Sequence, residues 1–277
     1  MRFFLVSAVF HYLGPAFAVL LFARVEPVGV AALRVWTAAV VFVLWRRFRW
    51  DRTVVLWGIV LAGMNVAFYL AIARLPLGTV AAIEFAPVVG LAALGARTPR
   101  NAVALVAVVG GVYALVDVRL EGEPVGFVLA FLNAALFALY IVLAHRSAQR
   151  DAAIGGLGAA MAVAAVLTAP GLVVAAPAML DPLVLAAGIA VGICSSVIPY
   201  VCDQLAMARL ARETYALMVA LLPATAVVIG VIVLRQVPSP VEAAGVALVI
   251  SGVALHSGRT ERLKEKTWNR HDSVAQG

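Results

Sequence analysis

The stretch from Val80 to Gly90 reads VAAIEFAPVVG, an apolar run that holds one carboxylate, Glu84, and a proline, Pro87, three residues later. In a water-exposed helix a single carboxylate would need no explanation. At the centre of a bilayer it costs about 2.5–3.5 kcal/mol, so it normally faces a partner or a water-filled cavity. The meaning of Glu84 therefore depends on whether this run lies in lipid.

The composition indicates that it does. Apolar residues make up 64% of the 277 positions and charged residues 13%, and the mean hydropathy is +1.04. Soluble domains are about half apolar and about a quarter charged. One soluble core could not bury so much apolar surface, whereas a polytopic helical membrane protein exposes it to lipid.

Ten apolar segments of about 17–24 residues follow one another along the chain, each near the length that crosses a bilayer. The predicted spans are 3–23, 28–45, 53–73, 77–95, 101–117, 125–144, 152–175, 183–206, 213–234 and 240–257. The first run is long for a signal peptide, so we expect an uncleaved span. The sequence predicts an all-α polytopic membrane protein with ten transmembrane helices.

Basic residues predict the orientation of these spans. With the N-terminus inside and the spans alternating, the inner side collects 16 Lys and Arg residues and the outer side 4. Both termini are therefore expected in the cytoplasm, and the net charge of +7 is explained by contact with anionic headgroups rather than with nucleic acid. The polar segment 258–277 is predicted to be a disordered cytoplasmic tail.

The two halves of the chain resemble each other. Tyr69–Leu75 leads into the fourth span and Tyr200–Leu210 leads towards the ninth, and these two spans carry Pro87 and Pro223. An odd number of spans per half would make the repeats inverted, which is typical of secondary transporters. Chance periodicity of small packing residues is the alternative. The predicted five-helix repeats are 3–117 and 125–257.

Two opposite charges are expected at similar depth. Arg34 lies about six residues, roughly 9 Å, below the outer end of the second span, and Glu84 about seven residues, roughly 10 Å, below that of the fourth. We expect the two side chains to approach each other or to share a cavity. Three roles stay open: a structural ion pair, a site for a zwitterionic substrate, and a Glu84 carboxylate that carries a coupling proton.

Other polar residues and prolines within the spans complete the candidate site. The further candidates for substrate binding or coupling are Asp203, Tyr200, Ser195, Asn65, Tyr69 and His11. The candidate hinges are Pro87, Pro199 and Pro223, because a proline removes one backbone hydrogen bond of its helix. Packing is the alternative role for His11, and pairing with Arg209 or Arg212 is the alternative for Asp203. No metal-ligand spacing or catalytic motif is present in the sequence, so neither an enzyme nor a cofactor is expected.

Two stretches carry a resemblance to a known family. Ile83–Pro87 and Ser195–Asp203, the latter reading SSVIPYVCD, are similar to the EamA-domain exporters of the drug/metabolite transporter superfamily, and more narrowly to the threonine/homoserine-exporter branch. Ala86 stands where that branch prefers Gly, Leu222 where it often has Glu, and Arg235-Gln236 where a Gly-Glu pair is common. The resemblance implies a ten-helix transporter that exports amino acids or related metabolites.

The sequence thus predicts an exporter in the cytoplasmic membrane that works by alternating access between two inverted halves. Its expected partners are the lipid bilayer and a small-molecule substrate, with a proton as an open candidate for the coupling ion and with a monomer or a homodimer as the working unit. The alternatives are an exporter of drugs or lipid-like compounds, and a structural or regulatory membrane protein that transports nothing.

Overall fold

The computed structural model describes residues 2–45, 50–95, 99–119, 123–148, 153–209 and 222–257. The described chain is helical between short turns. Its helices are α1 (Arg2–Leu21), α2 (Pro27–Trp45), α3 (Arg52–Ile72), α4 (Leu77–Gly95), α5 (Pro99–Arg119), α6 (Pro124–Ala148), α7 (Ala153–Met179), α8 (Pro182–Gly192), α9 (Ile198–Arg209), α10 (Leu222–Leu234) and α11 (Pro240–Ser257). A short π-helical segment, Ile193–Val197, joins α8 to α9.

Each predicted span overlaps a helix in the described part of the chain. Five described helices are long and apolar enough to cross a membrane by themselves: Pro27–Trp45, Arg52–Ile72, Pro124–Ala144, Gly155–Met179 and Pro182–Asp203. Shorter apolar helices account for the other spans, and the start of the ninth, 213–221, lies outside the described residues. The predicted tail, 258–277, also lies outside them.

Local sequence explains where two of these helices begin. Asp51 precedes α3 and its carboxylate accepts a hydrogen bond from the Val54 N–H at 2.8 Å. Asp181 caps α8 in the same way through the Leu183 N–H at 2.8 Å, and Pro182 supplies a preset helical φ at the first position. These aspartates satisfy N–H groups that a helix start would otherwise leave without partners.

The outward surface is apolar, as contact with lipid requires. Leu44, Val106, Val166 and Ile232 are each at least 70% exposed. In water such a surface would drive aggregation, but lipid solvates it at no hydrophobic cost. The exposed apolar side chains and the apolar helices together describe a multi-pass membrane protein.

Most of the helix packing joins the first half of the chain to the second. Helix α5 packs on α11, α2 on α7, and α3 on α6 and α7, while α1 packs against α8, α9 and α10. The buried side chains form two apolar clusters, one holding Leu33, Tyr69 and Phe85 and the other holding Val35 and Tyr200. Arg34 therefore lies at the boundary between the two clusters.

The helix formed by α8 and α9 is interrupted at this boundary. The Ile198 N–H bonds to the carbonyl of Ile193, five residues back, which widens one turn into the π-helical segment. Pro199 follows at once and has no N–H to donate to Ser195, four residues earlier. Turns of this kind are rare and occur frequently at functional sites. This interruption thus leaves the backbone carbonyl oxygen of Ser195 in the protein interior without its usual N–H donor.

Candidate functional site

Arg34 is held by the interrupted helix. Its side chain is 5% exposed, its Nε donates to Ser196 Oγ at 2.7 Å and its Nη2 donates to the Ser195 carbonyl at 2.8 Å. The guanidinium also lies over the ring of Tyr69, 5.4 Å from the ring centre. A guanidinium has five N–H donors, so these two bonds leave three for another partner.

Pro199 explains why the Ser195 carbonyl can accept from Arg34. In a regular helix that oxygen would accept the backbone N–H of residue 199, which proline lacks. The arginine takes the place of the missing donor at 2.8 Å. The Ser195 hydroxyl, by contrast, bonds within its own helix to the Val191 carbonyl at 2.5 Å. The side chain of Ser195 therefore supports the helix, and only its carbonyl contacts the arginine.

Two glycines let neighbouring helices approach this segment closely. A Cβ at Gly14 of α1 would collide with Ser195, and a Cβ at Gly192 would meet Thr37 of α2 at 2.5 Å. Close approach of α1 and α2 brings three helices to one point in the interior. The polar side chains on these helices consequently meet in a single buried cluster.

Glu84 is the acidic member of this cluster. It is 4% exposed, and its Oε1 accepts a hydrogen bond from Asn133 Nδ2 of α6 at 3.0 Å. The Tyr12 hydroxyl lies beside the carboxylate, but neither this hydroxyl nor Glu84 Oε2 has a partner of good hydrogen-bond geometry among the described residues. One carboxylate oxygen is thus fixed in place while the other is left for a ligand.

Arg34 and Glu84 share this cluster without forming a direct ion pair. Across the described parts of the chain, the ion pair found joins Arg24 and Asp181 at 3.3 Å on the exposed surface. Tyr200 lies near both Arg34 and Glu84, and Arg34 lies near enough to act on the Glu84 carboxyl group across the cluster. The structural ion pair considered above is therefore not formed directly, and the two charges stay separate within one buried region.

Asp203 lies towards the end of the bundle that holds the N-terminus of α1. Its Oδ1 accepts a hydrogen bond from Ser7 Oγ of α1 at 2.5 Å, and the same hydroxyl is 3.3 Å from the Pro199 carbonyl oxygen. The alternative partners Arg209 and Arg212 cannot be compared, because the side chain of the first and the whole of the second lie outside the described residues. We call the Ser7–Asp203 bond the inner contact.

The remaining candidates hold different positions around the cluster. Asn65 Nδ2 bonds to the Leu61 carbonyl of its own helix at 2.8 Å, and its Oδ1 has no partner within the described chain. The His11 ring meets the edge of Tyr12 with centroids 5.3 Å apart and lies within electrostatic range of Arg34. Of the hinge candidates, Pro87 lies inside α4 and Pro199 follows the π-helical segment, while the residues preceding Leu222-Pro223 are not described.

The sequence reasoning left two contact residues, Ser196 and Tyr12, out of the site and placed Asn133 as a possible cavity-lining residue. Ser196 binds Arg34, Asn133 binds Glu84, and Tyr12 lies beside Glu84. The serine could have been found, because a side chain next to the carbonyl freed by Pro199 must lie in the same interior turn. Within the described ranges no group of His, Cys, Asp and Glu has the geometry of a metal site.

Comparisons with known proteins agree with this picture of a transporter. The model of the EamA-like transporter family matches residues 124–258. The threonine/homoserine exporter RhtA of Escherichia coli K12 is 30% identical over 267 residues, which covers 91% of this chain and 90% of the relative. RhtA of Salmonella typhimurium LT2 matches to the same extent. A solved crystal structure with 21% sequence identity superposes with a TM-score of 0.61, covering 93% of this chain and 99% of the other, and so shares the fold.

Proposed function

This chain belongs to the EamA-like transporter family of the drug/metabolite transporter superfamily, and from that premise we propose that it exports small amino acids across the cytoplasmic membrane. Its relatives are transporters, and the family and the relatives together support a small-molecule exporter. The amino-acid substrate is carried over from the RhtA relatives, whose names state threonine and homoserine export. The proposed orientation places both termini in the cytoplasm.

The observation that carries the substrate class is the separation of opposite charges in one buried cluster. Arg34 keeps donors that are not used by Ser195 and Ser196, and Glu84 keeps Oε2 without a described partner. A zwitterion would place its carboxylate against the guanidinium and its ammonium group against the carboxylate. Such a ligand compensates both buried charges at once, which neither a cation nor an anion alone can do.

The proposed mechanism is alternating access between inverted halves, 3–117 and 125–257. The inner contact, Ser7–Asp203, joins the halves at one end. At the opposite end Gln236 Oε1 accepts the Leu77 N–H at 3.1 Å, which we call the outer contact. The central site lies between these two contacts along α1 and α4. Opening one contact while the other holds would expose the site to one side at a time.

Prolines support this motion because they loosen the helices that would have to bend. Because Pro199 has no N–H, the Ser195 carbonyl accepts a hydrogen bond from Arg34 instead of one from its own helix. Ligand binding at Arg34 and bending of the interrupted helix therefore involve the same carbonyl. Pro87 lies three residues after Glu84 in α4. In this scheme three prolines serve as hinges: Pro87, Pro199 and Pro223. Four side chains line the central site: Asn65, Tyr69, Tyr200 and His11. Asp203 closes the inner end through the inner contact.

Export of labelled threonine from vesicles tests this proposal. Wild type, Glu84→Gln and the control Glu26→Gln would be compared at equal membrane levels, with a pH gradient present or collapsed. Glu26 is an exposed carboxylate between α1 and α2, so its loss should leave export unchanged. We expect Glu84→Gln to lose most of the export. A collapse of wild-type export with the gradient would indicate proton coupling.

Two outcomes would contradict parts of this proposal. If wild type inserts normally but exports none of the amino acids offered, the substrate class is wrong, and apolar drugs become the next candidates to test. If Glu84→Gln exports threonine at the wild-type rate, the carboxylate has a structural role and the binding site lies elsewhere.

A further inference from the structure

A cavity outside the central cluster lies at the end of the bundle that holds the outer contact. It has a volume of about 280 Å³ and opens to the surface between the α3–α4 connection, the start of α4, the end of α10 and the start of α11. Its lining includes Arg74, Thr79, Gln236 and Glu242. Residues from both halves of the chain therefore form its walls. None of these residues belongs to the central cluster of Arg34 and Glu84.

Glu242 gives this cavity a buried carboxyl group. It is 3% exposed, and its Oε2 accepts the Ser239 N–H at 2.8 Å while the Ser239 hydroxyl accepts the Glu242 N–H at 3.3 Å. This reciprocal pair is a capping box at the start of α11. Because the box holds the side chain, the carboxyl group has a fixed position in the cavity wall.

The other polar groups supply donors to the same space. Gln236 Oε1 accepts the Leu77 N–H at 3.1 Å, and the amide NH₂ group of Gln236 supplies two further donors for a ligand. Arg74 lines the cavity as well, and its Nη1 is tied to the Leu70 carbonyl at 2.8 Å. Thr79 adds a hydroxyl on a side chain that is 3% exposed. The cavity therefore combines a cation and neutral donors with a buried carboxylate.

The position of the cavity connects it with the central site. Thr79 and Glu84 lie on the same helix, α4, five residues apart, a rise of about 7.5 Å. Buried apolar residues between them, including Val80 and Ile83, separate the two spaces. The cavity lies nearer than the central cluster to the end of the bundle that holds the outer contact. Its size is near the lower limit of small-molecule sites, which suits a compact solute rather than a drug-sized one.

We propose that this cavity, with Arg74, Gln236, Thr79 and Glu242, is a second binding site for the exported zwitterion, on the exit side of the membrane. The site receives the carboxylate at Arg74 and Gln236 and the ammonium group at Glu242. It rests on the proposed function, because it takes the same class of solute as the central site. The outer contact through Gln236 then links occupation of this site to closure at the exit.

Equilibrium binding of labelled threonine to the purified protein tests this inference without any transport step. The variants are Glu84→Gln, Glu242→Gln and the double variant, with Glu26→Gln as the matched control for loss of one exposed carboxylate at the same end of the bundle. Glutamine at 242 can still accept the Ser239 N–H, so the capping box is kept while the charge is lost. Thr79→Val, which removes only a hydroxyl, serves as a second probe of the same wall.

The inference predicts two classes of threonine sites per wild-type chain. Glu84→Gln should lose the first class and retain the second, and Glu242→Gln or Thr79→Val should weaken the second class by about tenfold or more. The double variant should bind threonine about tenfold or more weakly than Glu84→Gln does. Glu26→Gln should bind as wild type does. One class of sites that Glu84→Gln abolishes completely would overturn the second site and leave the proposed function intact.

The same experiment distinguishes failure of the proposed function from failure of the second binding site. Two classes of sites in a wild-type protein that does not export threonine would support the exit-side site and refute the transport role. A wild-type protein that binds no threonine at all would overturn both proposals as stated.

Discussion

Substitution of the two adjacent serines by alanine separates the roles that the structure gives them. Ser195 and Ser196 are both buried, at 0% and 1% exposure, and both changes remove one hydroxyl. Ser196→Ala deletes the acceptor that Arg34 Nε uses at 2.7 Å. Ser195→Ala deletes only a bond to the Val191 carbonyl of the same helix and leaves the Ser195 carbonyl available to Arg34.

The expected magnitudes differ because one bond involves a charge. A hydrogen bond to a charged group contributes about 1.5–3 kcal/mol and a neutral one about 0.5–1.5 kcal/mol. Ser196→Ala should therefore lower the free energy of unfolding by about 2 kcal/mol, and Ser195→Ala by about 1 kcal/mol. Ser196→Ala should also weaken threonine binding at the central site by about tenfold, since a poorly held guanidinium must be ordered by the ligand.

Denaturant unfolding of the purified protein in lipid, combined with threonine binding, measures both effects. The comparison between neighbours controls for any general effect of losing a buried hydroxyl. Equal losses of stability for the two variants, or a larger loss of threonine binding for Ser195→Ala, would refute the assignment of Ser196 as the side chain that positions Arg34.

Other changes test the packing and the two contacts. Arg235 has a φ of 54°, so Arg235→Gly should raise the free energy of unfolding by about 1 kcal/mol in denaturant titrations; a loss of stability would contradict this. Gly14→Ala should lower it by about 1–3 kcal/mol in the same assay, since the added methyl group meets Ser195, and an unchanged midpoint would argue against that close approach. Ser7→Ala removes the inner contact to Asp203 and should speed hydrogen exchange of the α9 amides by about fivefold, for a loss of about 1 kcal/mol; unaltered exchange would mean that this contact does not hold α9.

The sequence predicted the helices well because lipid imposes a simple rule. Every backbone polar group in the bilayer must be satisfied within the protein, so an apolar run of sufficient length becomes a helix. The predicted spans therefore fall on helices, with differences of a few residues at their ends, as at α7, which runs to Met179. The same rule singled out Arg34 and Glu84, since a charged side chain within such a run is costly unless it faces a partner or a water-filled cavity.

The partners of those charges could not be predicted from depth alone. Depth placed Arg34 and Glu84 at one level but did not give the direction in which each side chain points. In the structure Arg34 donates a hydrogen bond to the carbonyl in the turn interrupted by Pro199, and Glu84 accepts one from Asn133. Both partners lie in the second half of the chain, far away in sequence, and are selected by how the halves pack. The proline was visible in the sequence, whereas its exposed carbonyl required the fold.

The left-handed backbone at Arg235 lies where this sequence departs from the family branch that it resembles. That branch commonly has a Gly-Glu pair where this chain has Arg235-Gln236. A positive φ favours glycine because a Cβ crowds the carbonyl oxygen in that conformation. The conformation places Gln236 against the start of α4, where its amide oxygen accepts the Leu77 N–H. Sequence alone identified this substitution but not the contact between halves that it makes.

The most direct test of the bipolar site uses threonine and two analogues that each lack one charged group. Inhibition of threonine export by 3-hydroxybutyrate, which lacks the ammonium group, and by 1-amino-2-propanol, which lacks the carboxylate, would be measured for wild type and Glu84→Gln. The account predicts that wild type responds weakly to both analogues. It also predicts that Glu84→Gln loses its preference for threonine over 3-hydroxybutyrate in whatever transport remains, because the group that recognises the ammonium is gone. A variant that still discriminates against 3-hydroxybutyrate as strongly as wild type does would contradict the central claim.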